Sequence, residues 1–148
     1  MVVTLKLKIK MVEIIPYDHK YDSGFIQLRR ELDEEGIYGL PGKITPDEND
    51  LNISNWYLAV NNSNVLGFGV LPKDGEDFMY FVDKNYRNQD IEKALVERFI
   101  EDAEKIGLDE LIGEISPDDE FSQNLLRKLG FDEGPIIFGD IEFYMKLR

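Results

Sequence analysis

The spacing of apolar residues changes several times along the chain, and each change marks an element. From Thr4 to Val12, Leu5, Leu7, Ile9 and Met11 alternate with Lys6, Lys8 and Lys10, the period of a half-buried strand. Three lysines on the outer side suit a protected sheet edge. Met11-Val12-Glu13-Ile14-Ile15-Pro16 reads as a beginning in its own right, which leaves residues 1–10 as an extension or an extra edge strand of one 148-residue domain. Between Ser23 and Glu35, Phe25, Ile26, Leu28 and Leu32 predict an amphipathic helix that stops near Gly36. Pro41, Gly42, Pro46 and several Asp and Asn residues then make residues 36 to 55 a long loop or a broken second helix, of the kind that shapes a pocket.

Trp56 to Val60 and Val65 to Leu71 predict a hairpin around Asn61-Asn62-Ser63-Asn64, since asparagine tolerates the positive φ its turn needs. Pro72-Lys73-Asp74-Gly75 is a second turn, and Phe78-Met79-Tyr80-Phe81-Val82 a strand apolar on both faces, hence central and covered. Ile91, Ala94, Leu95, Phe99, Ile100, Ala103 and Ile106 recur at three and four residues until Gly107, the clearest helix in the chain. A short strand at Leu111 to Ile115, a helix at Phe121 to Leu129 closed by Gly130, and a final alternating strand at Ile141 to Leu147 complete the series. The expected fold class is α+β, with a mixed, mostly antiparallel central sheet and helices on both faces.

Composition narrows the chemistry. The chain has no cysteine, which excludes disulfides, thiolate metal sites and a cysteine nucleophile. Its single histidine, His19 in Asp18-His19-Lys20, reads as solvated in a turn, and no metal site is expected. Lysine and arginine total 17 against 30 acidic residues, a formal charge of -13. That balance disfavours nucleic acid and anionic membranes as partners and favours small or cationic ones. Lysines interrupt the N-terminal apolar residues, so no signal peptide is read, and no run approaches the roughly 18 apolar residues of a membrane span. A soluble, cytoplasmic protein is the expectation, and the strands at Thr4 to Lys10 and Ile141 to Leu147 are suited to pair across a homodimer.

Three local signatures, in this order, resemble the GNAT superfamily of N-acetyltransferases over about Met11 to Leu147. They are Val65-Leu66-Gly67-Phe68-Gly69-Val70; Val82-Asp83-Lys84-Asn85-Tyr86-Arg87 running into the long helix; and Phe121-Ser122-Gln123-Asn124-Leu125-Leu126-Arg127-Lys128-Leu129-Gly130-Phe131. The second is similar to the strand, loop and helix that hold the acyl-coenzyme A pyrophosphate, which rests on unpaired N–H groups at a helix N-terminus. The resemblance implies acyl transfer from acetyl-coenzyme A to a small amine or a protein amine. It places the cofactor on Phe81, Val82, Arg87, Asn88, Gln89, Asp90, Ile91 and Glu92, and it puts Tyr80 on the fourth strand and Glu114 or Ser116 on the fifth beside the thioester. Glu114 stands in the otherwise apolar Leu111-Ile112-Gly113-Glu114-Ile115 and is a candidate base, with Tyr80 a second catalytic candidate.

The family pattern is Gln or Arg, two residues, Gly, one residue, then Gly or Ala. Arg87 matches, but the two small positions fall on Asp90 and Glu92. Side-chain bulk and negative charge are thereby added where phosphates would lie; two unit charges about 5 Å apart repel by roughly 3 kcal/mol at an effective dielectric near 20. Lys84, Arg87 and Lys93 would offset part of this. The family's frequent Asn corresponds to Asp119, and the tyrosine that often protonates the departing thiolate corresponds to Leu126, which has no proton to give. A second reading therefore stands beside the enzyme: a GNAT-like binding or regulatory module that has lost coenzyme A.

Overall fold

The computed structural model describes residues 3–6, by their backbone, together with 11–37, 39–41 and 44–147. Eight strands among these residues form a sheet in the order β1 (Val3–Lys6), β2 (Met11–Pro16), β3 (Ser54–Asn61), β4 (Asn64–Pro72), β5 (Glu76–Val82), β6 (Glu110–Ile115), β8 (Asp140–Lys146), β7 (Asp132–Ile137). Every neighbouring pair is antiparallel except β5 and β6. That exception follows from connectivity: a helix, α3 (Ile91–Lys105), carries the chain from β5 across to β6, as a parallel pair requires. The remaining helices are α1 (Asp22–Glu35), the short α2 (Glu48–Ile53) and α4 (Glu120–Lys128). None of the described helices is long and apolar enough to cross a membrane.

Local residue chemistry accounts for most of the boundaries. Gly36 ends α1 in the left-handed region at φ 84, and Gly107 follows α3 at φ 82, where glycine avoids the Cβ strain of positive φ. Asn62 at φ 54 makes the β3–β4 turn, and the Gly75 N–H closes the next one on the Pro72 carbonyl at 2.9 Å. Asp47 and Asp50 form a reciprocal capping box that starts α2, so the stretch after Gly36 does contain a short second helix, and β3 begins at Ser54. His19 lies in an exposed single turn before α1, with Nδ1 3.1 Å from an Asp22 carboxylate oxygen.

The structure corrects two expectations. The alternation from Thr4 to Val12 is not one strand: β1 and β2 pair antiparallel, with Leu5 opposite Val12. Alternation survives a reversal of direction, and no Gly, Pro, Asn or Asp between them signals the turn. Lys8 and Lys10, proposed as edge protection, lie outside the described residues. The second correction is β7, paired with β8 and not anticipated. Gly134 and Pro135 argue against a strand, but β7 is at the sheet edge, where both are tolerated.

Two apolar layers clamp the sheet. On one face Phe25, Leu28 and Leu32 of α1 meet Trp56, Leu58, Phe68 and Val70, with the Trp56 and Phe68 rings stacked at 6.1 Å. On the other, Ile91, Ala94, Leu95, Val96, Phe99 and Ala103 of α3 meet Tyr57, Ala59, Phe78 and Val82. Ile106, expected within this stripe, is the C-cap and is 52% exposed. Arg98, polar by type, is buried: its Nε lies 3.1 Å from Asp102 Oδ2, its Nη1 donates to the Ile14 carbonyl, and the Tyr57 hydroxyl donates to the same Asp102 oxygen at 2.6 Å. A charged knot thus ties α3 to β2 and β3.

Glycines let α3 approach. A Cβ on Gly69 would lie 2.6 Å from Phe99 Cζ, and one on Gly67 would lie 3.4 Å from Ile91 Cγ2. Gly69→Ala is expected to destabilise the fold by about 1–3 kcal/mol through overpacking, read as a lower urea midpoint at unchanged slope; an unchanged midpoint would show that α3 yields freely at this contact.

Candidate active site

A fork in the sheet makes the cleft. β5 and β6 pair only at Glu76 with Ile112 and Phe78 with Gly113, across an irregularity at Asp77, whose φ is 63. Gly113 lies under the Phe78 ring, since a Cβ there would meet Phe78 Cζ at 2.5 Å. Beyond this point β5 stays on β4 as far as Val82 opposite Gly67, while β6 continues with β8. The Asp83 N–H donates to Leu66 O at 2.8 Å, which fixes the phase of the ladder. By the alternation of antiparallel pairing, Phe81 and Met79 exchange hydrogen bonds with β4, and the main-chain groups of Tyr80 and Val82 face the opening.

The resulting cleft has a volume of about 720 Å³ and is bounded by β5, β6, the loop before α3, the N-terminus of α4 and residues Ile37 and Gly39 after α1. Of the residues proposed from sequence, it gathers Tyr80, Phe81, Val82, Arg87, Asn88, Glu92, Glu114 and Ser116. Gln89, Asp90 and Ile91 are not among its lining. Gln89 and Asp90 are exposed, Asp90 holds the N-cap position of α3 without a side-chain cap bond, and Ile91 is in the core. The penalty anticipated at two carboxylates therefore falls on Glu92 alone.

Glu92 is 2% exposed. Its side chain folds back so that Oε2 accepts the Asn88 N–H at 2.8 Å, while Oε1 is buried without a hydrogen-bond partner. Burial pushes its carboxyl pKa up; the amides of Asn88 and of Glu92 itself and the Arg87 charge oppose that shift, and Asp119 adds to it. Asn88 stands at φ 61, a turn that brings its N–H round to the start of the helix. The Asn88 N–H thus already has an acceptor, supplied by the chain.

Arg87 is engaged as well. Its Nε and Nη2 donate to the Val82 carbonyl at 3.2 and 2.9 Å, and its guanidinium forks onto both oxygens of Glu35, with Nη2 at 2.8 Å from Oε1. This pairing holds the Glu35 carboxyl below its ordinary pKa. Sequence reading did not single out Glu35, which is 52 residues from Arg87 and belongs to a helix whose acidic end reads as solvated.

On the far wall Tyr80 meets α4. Its hydroxyl lies 2.6 Å from Ser122 Oγ, and Asp119 caps the same helix by accepting the Ser122 N–H at 3.0 Å. Burial raises the Tyr80 pKa well above the ordinary phenol value, with Asp119 and Glu92 adding to the effect, so the hydroxyl stays protonated. Ser122 was also not singled out; its signal is the capping position three residues after Asp119. Leu126 is fully buried in the core and has no place at the cleft. Glu114 is exposed on β6, and burial, Asp77, Asp140 and Glu142 all raise its carboxyl pKa.

Comparison with known proteins converges on one fold. A model of the acetyltransferase (GNAT) family matches residues 24–131. No curated protein matches the sequence. Among solved structures, the GNAT domain of S. lividans PAT superposes with a TM-score of 0.79 at 10% identity, covering 99% of this chain and 97% of that one. A GNAT-family acetyltransferase from Staphylococcus aureus gives 0.69 at 22% identity, over 93% of this chain and 99% of that one. The PaiA N-acetyltransferase from Thermoplasma acidophilum, solved in complex with coenzyme A, gives 0.73 at 18% identity, over 91% and 98%.

A carboxyl whose pKa is raised by folding contributes stability below its unfolded value, and that contribution is lost as pH rises through the folded one. For Glu92 the ordinary value is 4.5 and the folded value is higher. Wild type should therefore compare best with Glu92→Gln in acid and lose ground as pH rises to neutrality. Thermal melts of the two across that range check this; a difference that does not vary with pH would mean the carboxylate is as well solvated folded as unfolded.

Proposed function

The chain belongs to the acetyltransferase (GNAT) family, and on that premise we propose that it transfers an acyl group from acetyl-coenzyme A to an amine acceptor in the cytoplasm. The observation that carries this reading is the fork between β5 and β6. It turns the Tyr80 and Val82 main chain toward an open cleft that ends at the N-terminus of a 15-residue helix. The arm of an acyl thioester would add to the free side of β5 as an extra strand, and its phosphates would meet the helix N-terminus and Arg87. Phe81 and Val82 would then flank the thioester.

In the reaction the amine nitrogen forms a C–N bond to the thioester carbonyl, the C–S bond breaks, and the amine's surplus proton must leave. Glu114, exposed at the cleft with an upward-shifted carboxyl, would receive that proton directly or through water. Tyr80, protonated and hydrogen-bonded to Ser122, would turn from that partner to donate to the departing thiolate. It would serve where Leu126 cannot. The acidic lining at Asp77, Asp118 and Asp140 favours a cationic acceptor.

A second reading is favoured by one specific observation, the Glu92 carboxylate seated at the start of α3: a binding module with the same fold that takes no coenzyme. Calorimetry with acetyl-coenzyme A separates the two. Under the enzyme reading wild type binds, and Arg87→Ala weakens binding by about 10-fold, the worth of a charge-assisted hydrogen bond. Tyr80→Phe should lower kcat by about 100-fold with KM little changed. Absence of heat and of thermal shift at millimolar ligand would decide for the module.

A further inference from the structure

Glu92 has the one described side-chain atom that is buried and lacks a hydrogen-bond partner, its Oε1, and the reaction outlined above gives it no role. An unpaired carboxylate oxygen in a protein interior carries a desolvation cost, so its position needs an account. Packing alone does not supply one, because the residue is polar and lines the cleft beside Asn88 and Arg87. What surrounds it is specific: the Asn88 N–H at 2.8 Å, its own amide, the first turn of α3 and the Arg87 charge. These are donors of the kind that hold a phosphate group.

We propose that the Glu92 carboxylate is an internal stand-in for a diphosphate, a removable plug in an anion cradle formed by the Asn88 N–H, the start of α3 and the Arg87 charge, and that an external anion enters only by turning it out. The cradle's natural occupant rests on the acyl-coenzyme A reading; the cradle itself rests on the geometry. Displacement needs rotation about the side-chain bonds of Glu92, which frees the Asn88 N–H, and a change of partner by Arg87, which now forks onto Glu35. Both exchanges subtract from the affinity of the incoming ligand. Glu92 is thereby a determinant of cosubstrate affinity, acting by competition.

Inorganic pyrophosphate is the probe, titrated calorimetrically into the full chain at fixed salt. Glu92→Gly should bind it at least about 10-fold more tightly than wild type, with Glu92→Gln in between because it keeps the shape and an acceptor but loses the charge. Glu97→Gln, which removes an equal charge from the exposed side of α3, should leave the affinity at the wild-type level. In Glu92→Gly the Asn88 amide resonance should move on adding pyrophosphate. Equal affinity in wild type and a folded Glu92→Gly overturns the proposal; should the glycine variant not fold, equal affinity in wild type and Glu92→Gln does so. Acetyl-coenzyme A turnover on the same samples keeps the two ideas apart. Tight pyrophosphate binding by Glu92→Gly without turnover in any variant supports the plug and removes the enzyme, whereas turnover with one pyrophosphate affinity throughout keeps the enzyme and removes the plug.

Discussion

Once β5 and β6 part beyond Phe78 and Gly113, the main-chain groups of Tyr80 and Val82 have no strand opposite them, and the surroundings of the cleft are organised by that fact. Buried main-chain donors and acceptors are nearly always paired. Arg87 meets the Val82 carbonyl with two N–H groups and is itself oriented by Glu35. The fork thus recruits the C-terminal end of α1, the loop before α3 and the end of β5 into one unit. Phe78 over Gly113 sets where the strands divide, since any side chain at 113 would push against the ring.

Charge distribution sharpens the picture beyond net composition. The two helices that point their N-termini at the cleft each bring a carboxylate of the chain onto a nearby amide: Glu92, in the first turn of α3, accepts the Asn88 N–H from three residues before that helix, and Asp119, the N-cap of α4, accepts the Ser122 N–H. At α4 the acidic cap stabilises the free helix, whereas at α3 burial makes the ionised Glu92 costly. The same placement leaves fewer open donors for an incoming anion.

Much of the scaffold was legible because it depends on local chemistry. The spacing of Ile91, Ala94, Leu95, Phe99 and Ala103 describes one face of a helix, and Gly36, Asn62 and Gly107 stand where the backbone needs positive φ. What escaped depends on residues distant in sequence. Arg98 and Asp102 look like a solvated helical pair until Tyr57 and Ile14 are brought against them. Nothing near Glu35 announces Arg87, and the β1–β2 reversal leaves the alternation of side chains intact. Asp90 and Glu92 occupy equivalent-looking departures from a motif, yet one faces solvent and the other folds inward. Their places at the start of α3 differ, Asp90 at the N-cap and Glu92 two residues on, and side-chain type does not record it.

The knot of Arg98, Asp102 and Tyr57, with Phe99 seated over Gly69, has a mechanical consequence for the cleft. It fastens the middle of α3 to β2, β3 and β4. Opening or closing the site by tilting α3 would break a buried ion pair. A ligand entering here would instead ask for movement of groups that turn about single bonds, Glu92 and Arg87, whose rotations belong to a much faster regime than the motion of packed elements.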